Sequence, residues 1–195
     1  MAFGRSDGPR MPTAIKILVA GGFGAGKTTM VGAVSEIKPL RTEEALTDRS
    51  VGVDDLSGVS DKRTTTVAMD FGRITISKDY VLYLFGTPGQ ERFWFVWDEL
   101  AEGSLGAVVL ADTRRLADCF PSIDYFERRG TPFVVAVNAF EGAPTYELDE
   151  VRLALQLSPS IPIVMCDARK RQSSRDVLVA LVKHAAEMRV EAVGG

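Results

Sequence analysis

Residues 15–28 read IKILVAGGFGAGKT, an apolar run that ends in a glycine-rich turn and a lysine-threonine pair. The run Ile15–Ala20 has the composition of a strand covered on both faces, the form strands take in parallel sheets. The next eight residues, GGFGAGKT, fit the pattern G-x-x-x-x-G-K-[ST] through Gly21, Gly26, Lys27 and Thr28. A helical pattern follows over 26–37, with Pro39 soon after its end. Strand, glycine loop and helix in this order make an anion cradle. Glycines let the backbone curl so that its N–H groups turn inward. The helix N-terminus adds the positive end of its dipole. The expected phosphate-binding set is therefore Gly21, Gly22, Phe23, Gly24, Ala25, Gly26, Lys27, Thr28 and Thr29. Lys27 would reach the β- and γ-phosphates, and the Thr28 hydroxyl would ligate Mg²⁺. The loop points to nucleoside triphosphate binding without naming a reaction, because switches, kinases and motors share it.

Working outward, short apolar runs alternate with helical patterns. Strands are expected at Val67–Ile76, Asp79–Phe85, Ala107–Ala111, Phe133–Val137 and Ile161–Cys166, with Ser77-Lys78 turning a hairpin between the first two. Helices are expected at Glu91–Leu100, Ser122–Arg129, Glu147–Leu155 and Arg175–Met188; in the last, Val177, Leu178, Leu181, Val182 and Ala185 share a face. The alternation predicts an α/β three-layer sandwich of the P-loop NTPase type. Its six-stranded sheet is mostly parallel, with one antiparallel edge strand and helices on both faces. Residues 38–65 are rich in Thr, Ser, Asp and Gly and show no period, which reads as a long functional loop. The domain is expected to occupy 13–190, between a flexible arm at 1–12 and a tail at 191–195.

Composition narrows the partners. There are 23 basic and 26 acidic side chains, so the net charge of −3 leaves no basic footprint for nucleic acid. The apolar share of 46% and charged share of 25% are those of a globular chain. No run approaches the ~18 apolar residues of a membrane span. Ala2 follows the initiator methionine, which excludes N-myristoylation, and no secretory or prenylation signal occurs. The two cysteines, Cys119 and Cys166, have no metal-site spacing and read as small apolar residues in a reducing cytoplasm. His184, the single histidine, is expected on the surface.

Residues 86–93 read GTPGQERF directly after an apolar strand. With the phosphate loop, this segment resembles the Ras-like small GTPases, whose pattern here is DTAGQERF. The resemblance implies that the Gly89 N–H senses the γ-phosphate and that Gln90 orients the attacking water. Gly86 stands where that family carries its Walker B aspartate. Pro88 in place of alanine is similar to the bacterial MglA-like branch. The segment KRTTTVAMDF resembles the switch I border, T-x-x-x-D-F, and places Thr66 as the second Mg²⁺ ligand, with Thr65 the neighbouring alternative. Arg63, Arg92 or a partner would supply an arginine finger.

The base-recognition loops follow the later strands. Asn138-Ala139-Phe140-Glu141 resembles N-K-x-D, with Asn138 matching and Glu141 standing for the aspartate that reads guanine. Asp167-Ala168-Arg169 resembles the S-A-K loop, with the Ala168 N–H directed at guanine O6 and Arg169 beside it. Both loops sit at strand C-termini, where α/β sheets bind ligands. Ala139 and Glu141 leave adenine open. Phe93 and Val96 are expected inward, and Trp94 and Trp97 partly on a partner surface, as aromatic interface anchors.

Taken together, GGFGAGKTT, TTTVAMDFG and LFGTPGQERFWF look like the actinobacterial conservon GTPases. This resemblance implies a switch that binds GTP and GDP with Mg²⁺ and hydrolyses GTP slowly, with catalytic roles for Gln90 and Lys27 and metal ligands Thr28 and Thr66. It implies a cytoplasmic monomer or weak dimer that docks a Roadblock-type protein. A sensor-kinase-like membrane protein would be reached indirectly, with no membrane anchor and no nucleic acid of its own. The rival expectations are a nucleotide-binding module with little turnover and a P-loop kinase. The kinase would need an arginine-rich lid, and only scattered arginines such as Arg114-Arg115 and Arg169–Arg171 occur.

Overall fold

The computed structural model describes residues 11–46, 65–89 and 94–194. Its strands are β1 (Thr13–Gly21), β2 (Leu40–Leu46), β3 (Thr65–Thr75), β4 (Tyr80–Gly86), β5 (Gly106–Ala111), β6 (Phe133–Asn138) and β7 (Ile163–Cys166). They form a seven-stranded sheet in the order β2-β3-β4-β1-β5-β6-β7. All six expected strands are present, and β3 is the antiparallel one among them. A further strand, β2, pairs antiparallel outside β3, with Leu40 opposite Phe71 and Leu46 opposite Thr65. It lies within the segment expected to be irregular. The sequence LRTEEAL has neither a clean two-residue alternation nor strong β formers, so only pairing with its neighbour makes it a strand.

The helices are α1 (Lys27–Val34), α2 (Trp94–Ala101), α3 (Phe120–Arg129), α4 (Leu148–Ala154) and α5 (Arg171–Gly194), with a 3₁₀ turn at Leu116–Cys119 before α3. The backbone of α5 starts before Arg175 and continues beyond Met188 to Gly194, through residues first assigned to a tail. The two-residue side-chain period of β1 divides the core. Ile17 and Val19 pack with Met30, Val31 and Val34 of α1 and with Val177, Leu178 and Leu181 of α5. Leu18 and Ala20 face the other layer, with Trp97, Ile123, Phe126 and Val151 from α2, α3 and α4 and Leu155 just after α4. Each such side chain, fully buried, contributes about 1.5–3 kcal/mol of transfer free energy.

Two expectations about side chains are corrected. Trp97 is 2% exposed and belongs to the core, not to a partner surface. Its indole N–H donates to the Pro88 carbonyl at 3.1 Å, and its ring meets Tyr125 and Phe126. His184 is buried as well, because its helix face turns inward beside Ala185. Both cysteines are buried free thiols, and burial pushes Cys119 up to about 11. Among the described residues no helix is long and apolar enough to cross a membrane. The arm before residue 11 lies outside the described residues.

Candidate functional site

The phosphate loop joins β1 to α1 at the C-terminal edge of the sheet. Gly26 caps the helix with φ of +105°, a conformation that L side chains rarely adopt. A Cβ there would also stand 2.5 Å from the Asn138 amide nitrogen. Lys27 folds back over the loop, and its ammonium donates to the carbonyls of Gly21 and Gly22 at 2.7 Å each. Burial lowers its pKa to about 8, and nearby Asp70 opposes that shift. A Cβ on Gly89 would come within 2.8 Å of Lys27 Nζ and 3.1 Å of the Phe23 nitrogen. The segment after β4 thus approaches the loop closely at Gly89, beside Lys27 and Phe23. Thr28 and Thr29 are exposed at the start of α1, within reach of a ligand.

Behind Thr28 stands a carboxylate to which sequence reasoning assigned no role. Thr28 Oγ1 donates to Asp70 Oδ2 at 2.5 Å, across 42 positions of sequence. Asp70 lies on β3 directly opposite Gly86 on β4. A side chain at Gly86 would crowd it: a Cβ there falls 3.1 Å from Asp70 Cβ and 3.2 Å from Asp70 Oδ2. Asp70, from the adjacent antiparallel strand, therefore occupies the space beside Gly86 at the end of β4. A hydroxyl and a carboxylate at a phosphate loop are hard oxygen donors, the kind Mg²⁺ prefers. Among the described residues no cluster of three or more His, Cys, Asp or Glu could hold a metal unaided. The backbone of Thr66 lies in β3, and its side chain lies outside the described ones, as does Thr65's.

The loops after β6 and β7 are tied to the phosphate loop through Asn138. Its amide nitrogen donates to the Ala25 carbonyl at 3.0 Å, and its amide oxygen accepts from the Ala168 N–H at 3.0 Å. The Ala168 N–H expected at a base is bonded here to Asn138. Arg169 pairs with Asp167 through two contacts of 2.8 and 3.0 Å, holding that carboxyl well below its usual range. Glu141 is exposed and close enough to Arg169 to favour its charge. The Arg114 guanidinium lies 3.9 Å from the centre of the Phe140 ring, beside the same loop. All three expected nucleotide-contact loops therefore converge on one edge. Gln90, Arg63, Arg92 and Phe93 lie outside the described residues, and so does the Trp94 side chain.

A mostly parallel α/β sheet with this loop at the end of its first strand defines a P-loop nucleotide-binding protein built like a G domain. The family of conserved hypothetical ATP-binding proteins matches residues 19–188, and the chain belongs to it. A curated relative, an uncharacterized protein of Methanocaldococcus jannaschii, is 33% identical over 101 residues. That match takes in 52% of this chain and 53% of the relative, so the chain spans about half the length of the curated relative it matches. The G domain of the T. maritima FeoB iron transporter superposes over 89% of this chain and 99% of its own, with a TM-score of 0.60 and 19% identity. The FeoB G-domain from Methanococcus jannaschii covers the same shares at a TM-score of 0.57 and 13% identity. These two structures establish the fold.

Proposed function

We propose that the chain is a guanine-nucleotide-dependent switch that binds GTP and GDP with Mg²⁺ and hydrolyses GTP slowly. The observation that carries this reading is the Thr28–Asp70 pair beneath a phosphate loop already closed by Lys27 and Gly89. Thr28, backed by Asp70 and joined by Thr66 from β3, would hold Mg²⁺. The ion, when bound, neutralises charge on the phosphates. Lys27 meets the same charge with its ammonium, and the loop N–H groups bind the phosphate oxygens. Gln90, directly after Gly89, would orient the attacking water. A Roadblock-type protein, docking at the segments around Gly89 and Thr66, would read the nucleotide state, with any sensor-kinase-like membrane protein further along the chain of contacts.

The base remains the discriminating question. Glu141, exposed in the loop after Asn138, supports guanine. The description of the family as ATP-binding supports adenine as the second reading. Competition of GTP against ATP for the purified chain, followed by tryptophan fluorescence, decides between them, since Trp97 bonds to Pro88 beside Gly89. Phosphate release, measured with and without a Roadblock-type protein, separates a slow hydrolase from a binding module. Absence of micromolar binding to either nucleotide would sink the whole reading.

The lowered pKa of Lys27 sets a pH dependence. Phosphate stabilises the charged ammonium, so the bound lysine titrates above its value of about 8 in the nucleotide-free chain. Below pH 8 the proton is already in place. Above it, binding must take a proton up, and Kd should rise by up to about tenfold per pH unit until the bound pKa is reached. Calorimetry between pH 7 and 9 in buffers of different ionisation enthalpy measures that uptake directly. A Kd flat across this range would contradict the assignment of Lys27.

A further inference from the structure

We infer that Arg115 is a positioning residue for the phosphate loop: it grips the outer side of the Phe23–Gly24 peptide and so turns the Gly24 N–H towards phosphate. This rests on the nucleotide-binding reading above and adds a residue that no motif marks. Arg115 follows β5 in a turn remote from the loop in sequence. Its Nη2 nonetheless donates to the Phe23 carbonyl at 2.5 Å, across 92 positions. The same nitrogen lies 3.1 Å from where a Cβ on Gly24 would stand.

A trans peptide is planar, with its C=O and N–H pointing to opposite sides. Holding the Phe23 carbonyl on Arg115 therefore directs the Gly24 N–H to the face of that peptide away from Arg115. Gly24 has φ of +76°, and glycine on one side of a peptide bond makes that bond easy to flip. A flipped peptide would present a carbonyl dipole to a polyanion. Arg115 opposes the flip from a braced position. Its guanidinium lies 3.8 Å from Asp118 and 4.0 Å from Asp112, and its own N–H donates to the Asp112 carbonyl at 2.9 Å. Asp112 is buried and is held in turn by two bonds from Arg114. Asp118 of the same turn presses on the loop at a second point, 2.5 Å from where a Cβ on Gly22 would stand. The turn after β5 is thus a buttress that sets the loop's shape before any ligand arrives, which lowers the ordering cost of binding.

The experiment compares the full chain with Arg115→Ala and Arg115→Lys, measuring Kd for GDP, ADP and inorganic pyrophosphate, hydrolysis at saturating nucleotide, and thermal stability without ligand. Arg115→Ala is expected to raise Kd for the nucleotide that binds and for pyrophosphate together, by about 10-fold to 100-fold, the range for misplacing a group by about 1 Å. The lysine variant keeps a donor without the planar fork and is expected to recover part of that loss. The nucleotide-free Tm should stay within a few degrees, which a merely structural role would not predict. Should the alanine variant fail to fold, the lysine variant alone must still show the joint loss of nucleotide and pyrophosphate affinity. Unchanged Kd in the variants overturns the inference while leaving the nucleotide reading intact. A lowered hydrolysis rate at unchanged Kd overturns it in favour of direct contact with the reacting phosphate. Wild-type chain that binds none of the three ligands overturns both.

Discussion

Alanine in place of Asp70 is expected to lower nucleotide hydrolysis by about 100-fold or more, the scale of losing one preorganised electrostatic group from an active site. The carboxylate receives the Thr28 hydroxyl at 2.5 Å and fills the space beside Gly86. Removing it deprives the proposed cation site of its nearest acidic group and leaves Thr28 without the acceptor that orients it. The Mg²⁺ concentration needed for half-maximal activity should rise in parallel. An exchange gives the sharper form of the same test. Gly86→Asp alone would crowd Asp70, whose Oδ2 lies 3.2 Å from where the new Cβ would stand, and would set two like charges side by side. The paired change Asp70→Gly with Gly86→Asp moves the carboxylate across the ladder to the neighbouring strand. That pair should recover activity that each single change loses, a coupling of the kind double-mutant cycles measure. Steady-state phosphate release across a Mg²⁺ titration checks the wild type, the three single variants Asp70→Ala, Asp70→Gly and Gly86→Asp, and the pair. Wild-type rates in the Asp70→Ala protein would remove Asp70 from the site altogether.

Trp97→Ala is expected to destabilise the chain by about 3–5 kcal/mol, the usual cost of emptying a buried aromatic site. The indole is 2% exposed and packs against Tyr125 at 5.2 Å and Phe126 at 6.0 Å between ring centres. For a chain of this size that corresponds to a fall in Tm on the order of 10 °C. Trp97→Phe keeps most of the packing and loses the bond to the Pro88 carbonyl, so it should cost only about 1–3 kcal/mol. That bond ties α2 to the residue before Gly89. The phenylalanine variant should therefore weaken discrimination between di- and triphosphate more than it weakens the fold. Urea denaturation and paired nucleotide titrations supply the two measurements. A stability change below 1 kcal/mol in the alanine variant would place Trp97 back at the surface.

The fold and the phosphate loop were legible because both rest on local rules. The turn GGFGAGKT after an apolar strand binds phosphate through its own backbone, and the strand-helix alternation names its sheet within a few residues of the observed bounds. Strand β2 was not legible, since LRTEEAL carries no period of its own and takes its conformation from the ladder with β3. Trp97 and His184 were misplaced for a related reason. The short helix α2 is crowded with apolar residues and does not say which face turns to the sheet until the neighbouring layers are set, while in α5 the burial of a polar histidine is decided by what packs against it.

The chain's primary structure by itself determined a nucleotide-binding α/β domain with Lys27 and Thr28 at the loop and a glycine at position 86. Only the tertiary structure decided which carboxylate lies beside that glycine. A two-residue turn at Ser77-Lys78 would pair Ile76 with Asp79 and set Asp70 opposite Phe85. The observed ladder instead sets Asp70 opposite Gly86, with Ile76 and Ser77 both donating to the Tyr80 carbonyl. A shift of one residue exchanges the two faces of a strand, because side chains alternate with a period of two. No residue type in the sequence encodes that single step, which only the packed turn and sheet can choose. The same holds for Arg115, whose partner at Phe23 is distant in sequence and adjacent only once β5 lies beside β1.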